Sequence, residues 1–271
     1  MGSNYWHQKT CVVTGSSAGL GLAIARALAQ KQAKIVLVGR REEPLQQAVV
    51  ELSPTATDVA AVVADVTCPE DVHRLHQSVM EQFGPIDMLC NCAGRSARQH
   101  VLETSIDEFQ QLMEINFLAA VRTTQAFAPS LLERRGHVVN IGSLASKVAP
   151  RFLGGYPASK FALAAFSQQL RLELGPQGLH TLLVCPGPIR RDSNAPRYEA
   201  DSKNHMPASA QQPGAGAKLR GIDPDWLAHK ILHTCEHRRL ELVVPRKVRL
   251  LLTLAQFSPR LGDWLLLKAT S

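Results

Sequence analysis

Short apolar runs rich in Val, Ile and Leu alternate along the chain with longer stretches whose apolar positions recur at helical spacing. A run of four to six apolar residues fits a strand covered on both faces, and a helix of the following period can return the chain to begin the next parallel strand. The pattern predicts strands at Thr10 to Val13, Ala33 to Val38, Val59 to Ala64, Ile86 to Asn91, Gly136 to Ile141, Leu179 to Val184 and Glu241 to Val244. The expected fold class is α/β: a doubly wound Rossmann domain with a predominantly parallel seven-stranded sheet and helices on both faces. A length of 271 residues suits one such domain over 1–271.

Local signals punctuate this alternation. Thr67 with Glu70, and Ser105 with Glu108, have the spacing of capping boxes, and Asp223 before Pro224 has the composition of a helix start. The stretch at about 186–221 is rich in Pro, Ala, Ser, Gln and Gly and has little periodicity, which predicts a substrate lid following a strand end. The segment at about 245–271 mixes Leu, Phe and Trp with Arg and Lys and predicts one or two amphipathic helices.

The first strand runs into Thr14-Gly15-Ser16-Ser17-Ala18-Gly19-Leu20-Gly21, which opens a helical pattern. Glycines there allow a sharp turn and close approach of a pyrophosphate, and the helix start offers amides and a positive dipole end. Gly15, Ser16, Ser17, Gly19, Leu20 and Gly21 are therefore candidate cofactor contacts. A carboxylate at the end of the second strand would hold a ribose 2′-hydroxyl and select NAD. That place reads Val38-Gly39-Arg40-Arg41, and the guanidinium forks of Arg40 and Arg41 match a 2′-phosphate, so NADP(H) is predicted. Asp65, beside Val66 after the third strand, reads either as a partner of the adenine amino group or as a loop carboxylate at a helix start.

Tyr156 and Lys160 stand four residues apart at the head of a helical pattern reaching Leu174, so they share a face. A free tyrosine, with a pKa of about 10, is a poor acid or base at neutral pH, and a neighbouring ammonium favours its phenolate. Taken with the glycine turn, Asn91-Cys92-Ala93-Gly94, Asn116 and Ser143, this pair gives a chain that resembles the short-chain dehydrogenase/reductase family from Lys9 to Pro188.

The resemblance implies roles. Tyr156 would be the general acid or base, Ser143 would orient the carbonyl, and Lys160 would bind the nicotinamide ribose. Asn116 would hold a water that links Lys160 to solvent. Val66, Asn91, Ala93, Gly94, Pro186, Gly187 and Ile189 would line the cofactor, as would Tyr156 and Lys160. Two departures stand out: Cys92 replaces the usual second asparagine of its turn, and Arg190-Arg191 stands where the family often places Thr. Arg191 could meet a cofactor phosphate or an anionic substrate.

The implied function is reversible reduction of a ketone or aldehyde. The basic, leucine-rich tail is similar to those of hydroxysteroid and other lipid-ketone reductases, which points to an apolar carbonyl substrate. A 3-oxoacyl thioester reductase is the rival enzyme, and an NADP-binding sensor or scaffold without turnover is the rival from another class. The family is commonly dimeric or tetrameric, so a homodimer or homotetramer is expected.

Composition narrows the partners. A formal charge of +7 attracts polyanions, but the Lys and Arg residues are spread through the chain apart from a cluster at Arg238 to Arg249, so no nucleic-acid partner is expected. The six cysteines lack zinc-type spacing and scaffold density; they read as small apolar fillers in a reducing compartment, with no metal expected. With no apolar signal core at Met1 to Gln8, the expected location is cytoplasmic. Peripheral membrane contact could come through the basic, apolar C-terminal segment.

Overall fold

The computed structural model describes residues 5–190 and 220–270. Its strands are β1 (Thr10–Thr14), β2 (Lys34–Gly39), β3 (Asp58–Val63), β4 (Met88–Asn91), β5 (His137–Ile141), β6 (His180–Pro186) and β7 (Glu241–Val244). They form one sheet in the order β3-β2-β1-β4-β5-β6-β7, with every neighbouring pair parallel. The predicted fold class is the observed one. The helices are α1 (Gly19–Ala29), α2 (Glu42–Leu52), α3 (Pro69–Phe83), α4 (Ile106–Met113), α5 (Ala119–Glu133), α6 (Tyr156–Leu174), α7 (Pro224–Glu236), α8 (Arg246–Phe257) and α9 (Pro259–Ala269).

Strand alternation divides the core into two layers. Cys11 and Val13 of β1 pack with Ile24, Leu28 and Leu232 on one face, and Val12 between them packs with Leu75, Leu89 and Phe127 on the other. Each such side chain, wholly buried, stabilises the fold by about 1.5–3 kcal/mol. β1 lies between β2 and β4, so the strand order reverses there, and the crevice at the carboxyl ends of β1 and β4 is where a doubly wound sheet takes a ligand.

Boundaries shift where neighbours intervene. β6 runs past Val184 to Pro186, because Pro186 registers with Val244 of β7 and the Gly187 amide donates to the Val244 carbonyl at 2.8 Å. The Thr67–Glu70 capping box does not form. Pro69 occupies the first turn of α3, a position that suits its missing N–H, and this puts the cap at Cys68. Thr67 instead donates its hydroxyl and amide to Asp65 Oδ1, at 2.7 and 3.0 Å. Ser105 does cap α4, accepting from the Glu108 amide at 3.1 Å, and Asp223 caps α7 through the amides of Asp225 and Trp226. The expected lid falls mostly on residues 191–219, outside the described residues.

Candidate active site

The turn after β1 rests on the turn after β4. Gly15 has φ +65°, and a Cβ there would come within 2.9 Å of the Ala93 Cα; one at Gly21 would stand 2.3 Å from the Gly15 carbonyl oxygen. Gly19, at φ +56°, faces open space, and no side chain caps α1, so its first-turn amides are left for a ligand. Leu20 and Val66 are buried, one in each core layer.

Ser16 is fully buried, its hydroxyl accepting from the Val38 amide at 2.9 Å and donating to the Val38 carbonyl. It braces the turn against β2, and what it offers a cofactor is limited to its backbone. Ser17 Oγ lies 3.5 Å from where a Cβ on Gly39 would be, at the end of β2. Arg40 and Arg41 are exposed next to it, with Arg40 Nη1 3.9 Å from Asp65 Oδ2. A contact so exposed contributes little to stability, and a phosphate could replace it.

Thr14 is a site residue that the sequence pattern alone does not single out. Its Oγ1 accepts from the amides of Cys92 and Ala93, at 3.0 and 3.1 Å, and donates to the Cys90 carbonyl at 3.3 Å, tying the two turns together. The available signal was a hydroxyl residue between an apolar strand and a glycine turn.

Asn91 is buried and saturated: Nδ2 donates to Thr124 Oγ1 and Asn140 Oδ1, and Oδ1 accepts from Thr123. Its carboxamide fixes β4 against β5 and α5, so a cofactor would meet only its backbone. Ala93 is half-buried and Gly94 exposed at the crevice.

Ser143 follows β5, and its Oγ accepts from the Ala145 amide at 3.1 Å. A hydroxyl that accepts one bond still has a proton to donate. Tyr156 opens α6 and packs beside Ala145 and Leu153. Lys160, 5% exposed, lies one turn along; its Nζ donates to the Ile141 carbonyl at 2.8 Å and stands 5.9 Å from the Tyr156 ring centre. Burial lowers its pKa to about 8, which the nearby Cys92 and Cys185 thiols oppose. Burial pushes the Cys92 thiol up to about 12 against the pull of the Lys160 ammonium. The cysteine that replaces asparagine is thus a neutral neighbour of the lysine.

Between α4 and α5 the helix widens into a π turn, Glu114–Leu118, which contains the buried Asn116. Asn116 Oδ1 accepts from the Arg95 amide at 3.0 Å, and Nδ2 donates to the Arg95 carbonyl and to Ser159 Oγ, at 2.9 and 3.1 Å. Both amide protons are therefore spent, one on the loop after Gly94 and one on Ser159 of α6. A Cβ on Gly94 would come within 2.7 Å of Asn116 Oδ1 and 3.5 Å of Lys160 Nζ, so glycine permits this approach.

Pro186, Gly187 and Ile189 form the base of the expected lid. Ile189 bridges Ile222 through the bonds Arg190 amide to Ile222 carbonyl and Ile222 amide to Pro188 carbonyl. Arg190 pairs with Asp223, the cap of α7, and Arg191 lies outside the described residues.

A parallel sheet with a glycine turn at its reversal point, and a Ser, Tyr and Lys gathered at the carboxyl end of β5, define a dinucleotide-dependent oxidoreductase. A family model described as "short chain dehydrogenase" matches residues 9–202, and the chain belongs to the short-chain dehydrogenase/reductase family. It is 32% identical over 263 residues to the ketoacyl reductase HetN of Nostoc, covering 94% of this chain and 87% of that protein. It is 34% identical over 197 residues to 1-deoxy-11-beta-hydroxypentalenate dehydrogenase of Streptomyces exfoliatus, covering 70% and 72%. Among solved structures it is similar to L-sorbose reductase of Gluconobacter frateurii, complexed with NADPH and L-sorbose, at a TM-score of 0.76 and 28% identity, covering 88% and 95%.

Proposed function

We propose that the protein interconverts a ketone or aldehyde and the corresponding alcohol with NADP(H), using Tyr156 as general acid and base on an apolar substrate. The observation that carries this reading is the buried Lys160, tied to the Ile141 carbonyl two residues before Ser143 and one helical turn from Tyr156.

The glycine turn fits a dinucleotide: α1 has no side-chain cap, and the space at Gly19 is open. When bound, the nicotinamide supplies or accepts the hydride at the carbonyl carbon. In reduction, Ser143 donates its hydroxyl proton in a hydrogen bond to the carbonyl oxygen and Tyr156 delivers the phenol proton to it. The Lys160 ammonium stabilises the charge left on the tyrosine oxygen. Through the Arg95 backbone, Asn116 fixes the loop that approaches Lys160; a relay water would have to be held by groups other than its two amide protons, which are already donated.

The NADP(H) preference rests on Gly39, Arg40 and Arg41, which place guanidinium groups and no carboxylate at the end of β2. Asp65 accepts from Thr67 through Oδ1, which supports the helix-start reading, and its Oδ2 faces Arg40. An apolar substrate is supported by Leu144 and Val148, which follow Ser143 and pack against Val248 and Leu252 of α8. Peripheral contact with an anionic membrane extends the reading: α9 exposes Leu261, Trp264 and Leu267 beside Arg260 and Lys268.

The test is a panel of steroid, terpenoid and aromatic ketones assayed with NADPH and with NADH. Turnover of apolar ketones with a higher kcat/KM for NADPH is expected, and an equal or higher value for NADH would overturn the reading of Arg40 and Arg41. Similarity to a ketoacyl reductase favours a second reading, reduction of a 3-oxoacyl thioester, and a thioester in the same panel separates the two.

A further inference from the structure

At the other end of the sheet, away from Tyr156, two histidines face each other in the core. His137 and His180 are the first residues of β5 and β6 and stand opposite each other in register. They are 1% and 3% exposed, and their Nδ1 atoms are 2.8 Å apart. The Tyr5 and Trp6 rings cover His137, with ring centres 5.7 and 5.4 Å away. Cys235, near the end of α7, is wholly buried beside the pair: its sulfur and one nitrogen of each imidazole all lie within 4.8 Å of one another. Among the described residues this thiol has no hydrogen-bond partner.

Hydrogen bonding alone assigns the protons. The Arg239 carbonyl, 3.0 Å from His180 Nε2, can only accept, so His180 carries its proton on Nε2 and a lone pair on Nδ1. His137 must then donate from Nδ1 to that lone pair, and its Nε2 accepts from the Tyr5 hydroxyl at 2.6 Å. His180 is already in the form a metal ligand takes, with its outer nitrogen held by a carbonyl. His137 must move its proton from Nδ1 to Nε2, where the Tyr5 oxygen can accept it instead of donating, and the two Nδ1 atoms, 2.8 Å apart, must part by a few tenths of an ångström to share one metal at bonds of about 2.0 Å.

We propose that His137, His180 and Cys235 form a buried site for a monovalent thiophilic cation of the Cu(I) class, bound by the two Nδ1 atoms and the Cys235 sulfur. Charge selects the cation. The cluster is neutral with a thiol and two neutral imidazoles; when Cu(I) enters, the S–H bond breaks, a Cu–S bond forms and one proton leaves, so the filled site is neutral too. A divalent ion with the same ligands would leave an unpaired positive charge in the core, at a cost of several kcal/mol. Two imidazoles and a thiolate also suit copper, since soft sulfur selects Cu(I) and three ligands complete a trigonal site. The site is roughly 13 Å along β5 from the catalytic end, at ~3.3 Å per residue, so its role is to brace β5, β6 and α7 and not to assist hydride transfer.

The experiment titrates the reduced full-length protein anaerobically with Cu(I) against a chromogenic Cu(I) chelator, then records X-ray absorption of the one-to-one complex. Two nitrogens and one sulfur around copper are expected, together with a raised melting temperature. Cys235→Ala and His180→Phe should each weaken binding by more than the roughly 10–100-fold that loss of an outer partner costs. Cys11→Ala and Cys68→Ser should bind as the wild type does. Two sulfurs in the copper shell, undiminished binding by Cys235→Ala, loss of binding in Cys68→Ser, or tighter binding of Zn(II) would each overturn the proposal. The spectrum of the wild type decides even where a variant fails to fold.

Discussion

The two ends of β5 and β6 carry polar side chains in opposite states. At the carboxyl end, Ser143 retains a proton to donate, α1 begins without a side-chain cap, and Lys160 is buried with a single backbone acceptor. At the amino end, Tyr5, His137, His180 and the Arg239 carbonyl form a closed chain of donors and acceptors. Polar groups left with spare capacity mark where a substrate is met. Groups that satisfy one another mark where the fold is braced, and among the described residues the Cys235 thiol and the Trp6 indole N–H stand outside that chain.

Substitutions and pH can break this contrast from either end. The largest effect is expected at Lys160: Lys160→Met keeps the stem, removes the ammonium and leaves the Ile141 carbonyl without its donor, and kcat should fall by about 10²–10⁴ while the far-UV spectrum is retained. Steady-state kinetics with NADPH check this, and near-normal turnover would show that the cation has no part in the chemistry.

Next is pH at the braced end. Burial lowers His137 to about 2, with added repulsion from His180, Arg238 and Lys9; burial also lowers His180 to about 4. As pH falls below about 6.5 the unfolded chain takes up protons at these imidazoles and the folded chain does not, so stability must fall as pH drops from 6.5 toward 4. Each imidazole contributes up to about 1.4 kcal/mol per pH unit in that window. Urea midpoints at pH 7 and pH 5 measure it, and His180→Gln should flatten the dependence.

Thr14 tests the join between the two turns. Thr14→Val leaves the Cys92 and Ala93 amides without their acceptor and should cost about 1–3 kcal/mol, with weaker NADPH binding seen by fluorescence titration. The smallest effect, about 1 kcal/mol, is expected for Ser105→Ala, which removes the cap of α4 but touches neither end of the sheet. A change in KM for that variant would show that α4 communicates with the site.

The sheet was legible because strands buried on both faces write themselves as apolar runs, and the glycine turn and the Tyr156/Lys160 pair were legible because local spacing creates them. Other features depend on contacts between distant segments. Thr14 acquires its role from the turn after β4, the carboxamides of Asn91 and Asn116 are used for bracing, and His137, His180 and Cys235 meet only when β5, β6 and α7 pack. The Thr67–Glu70 reading failed because Pro69 fixed the helix start one residue further along than the capping box required.

In the proposed reaction Tyr156 transfers the proton, and the cofactor is held without its hydroxyl. Tyr156→Phe should bind NADPH within about twofold of the wild type, since the loss of one hydroxyl leaves the glycine turn and Arg40 in place, and its carbonyl reduction should fall by about 10²–10⁴. Turnover that survives in Tyr156→Phe while NADPH binding is intact would mean that another group moves the proton.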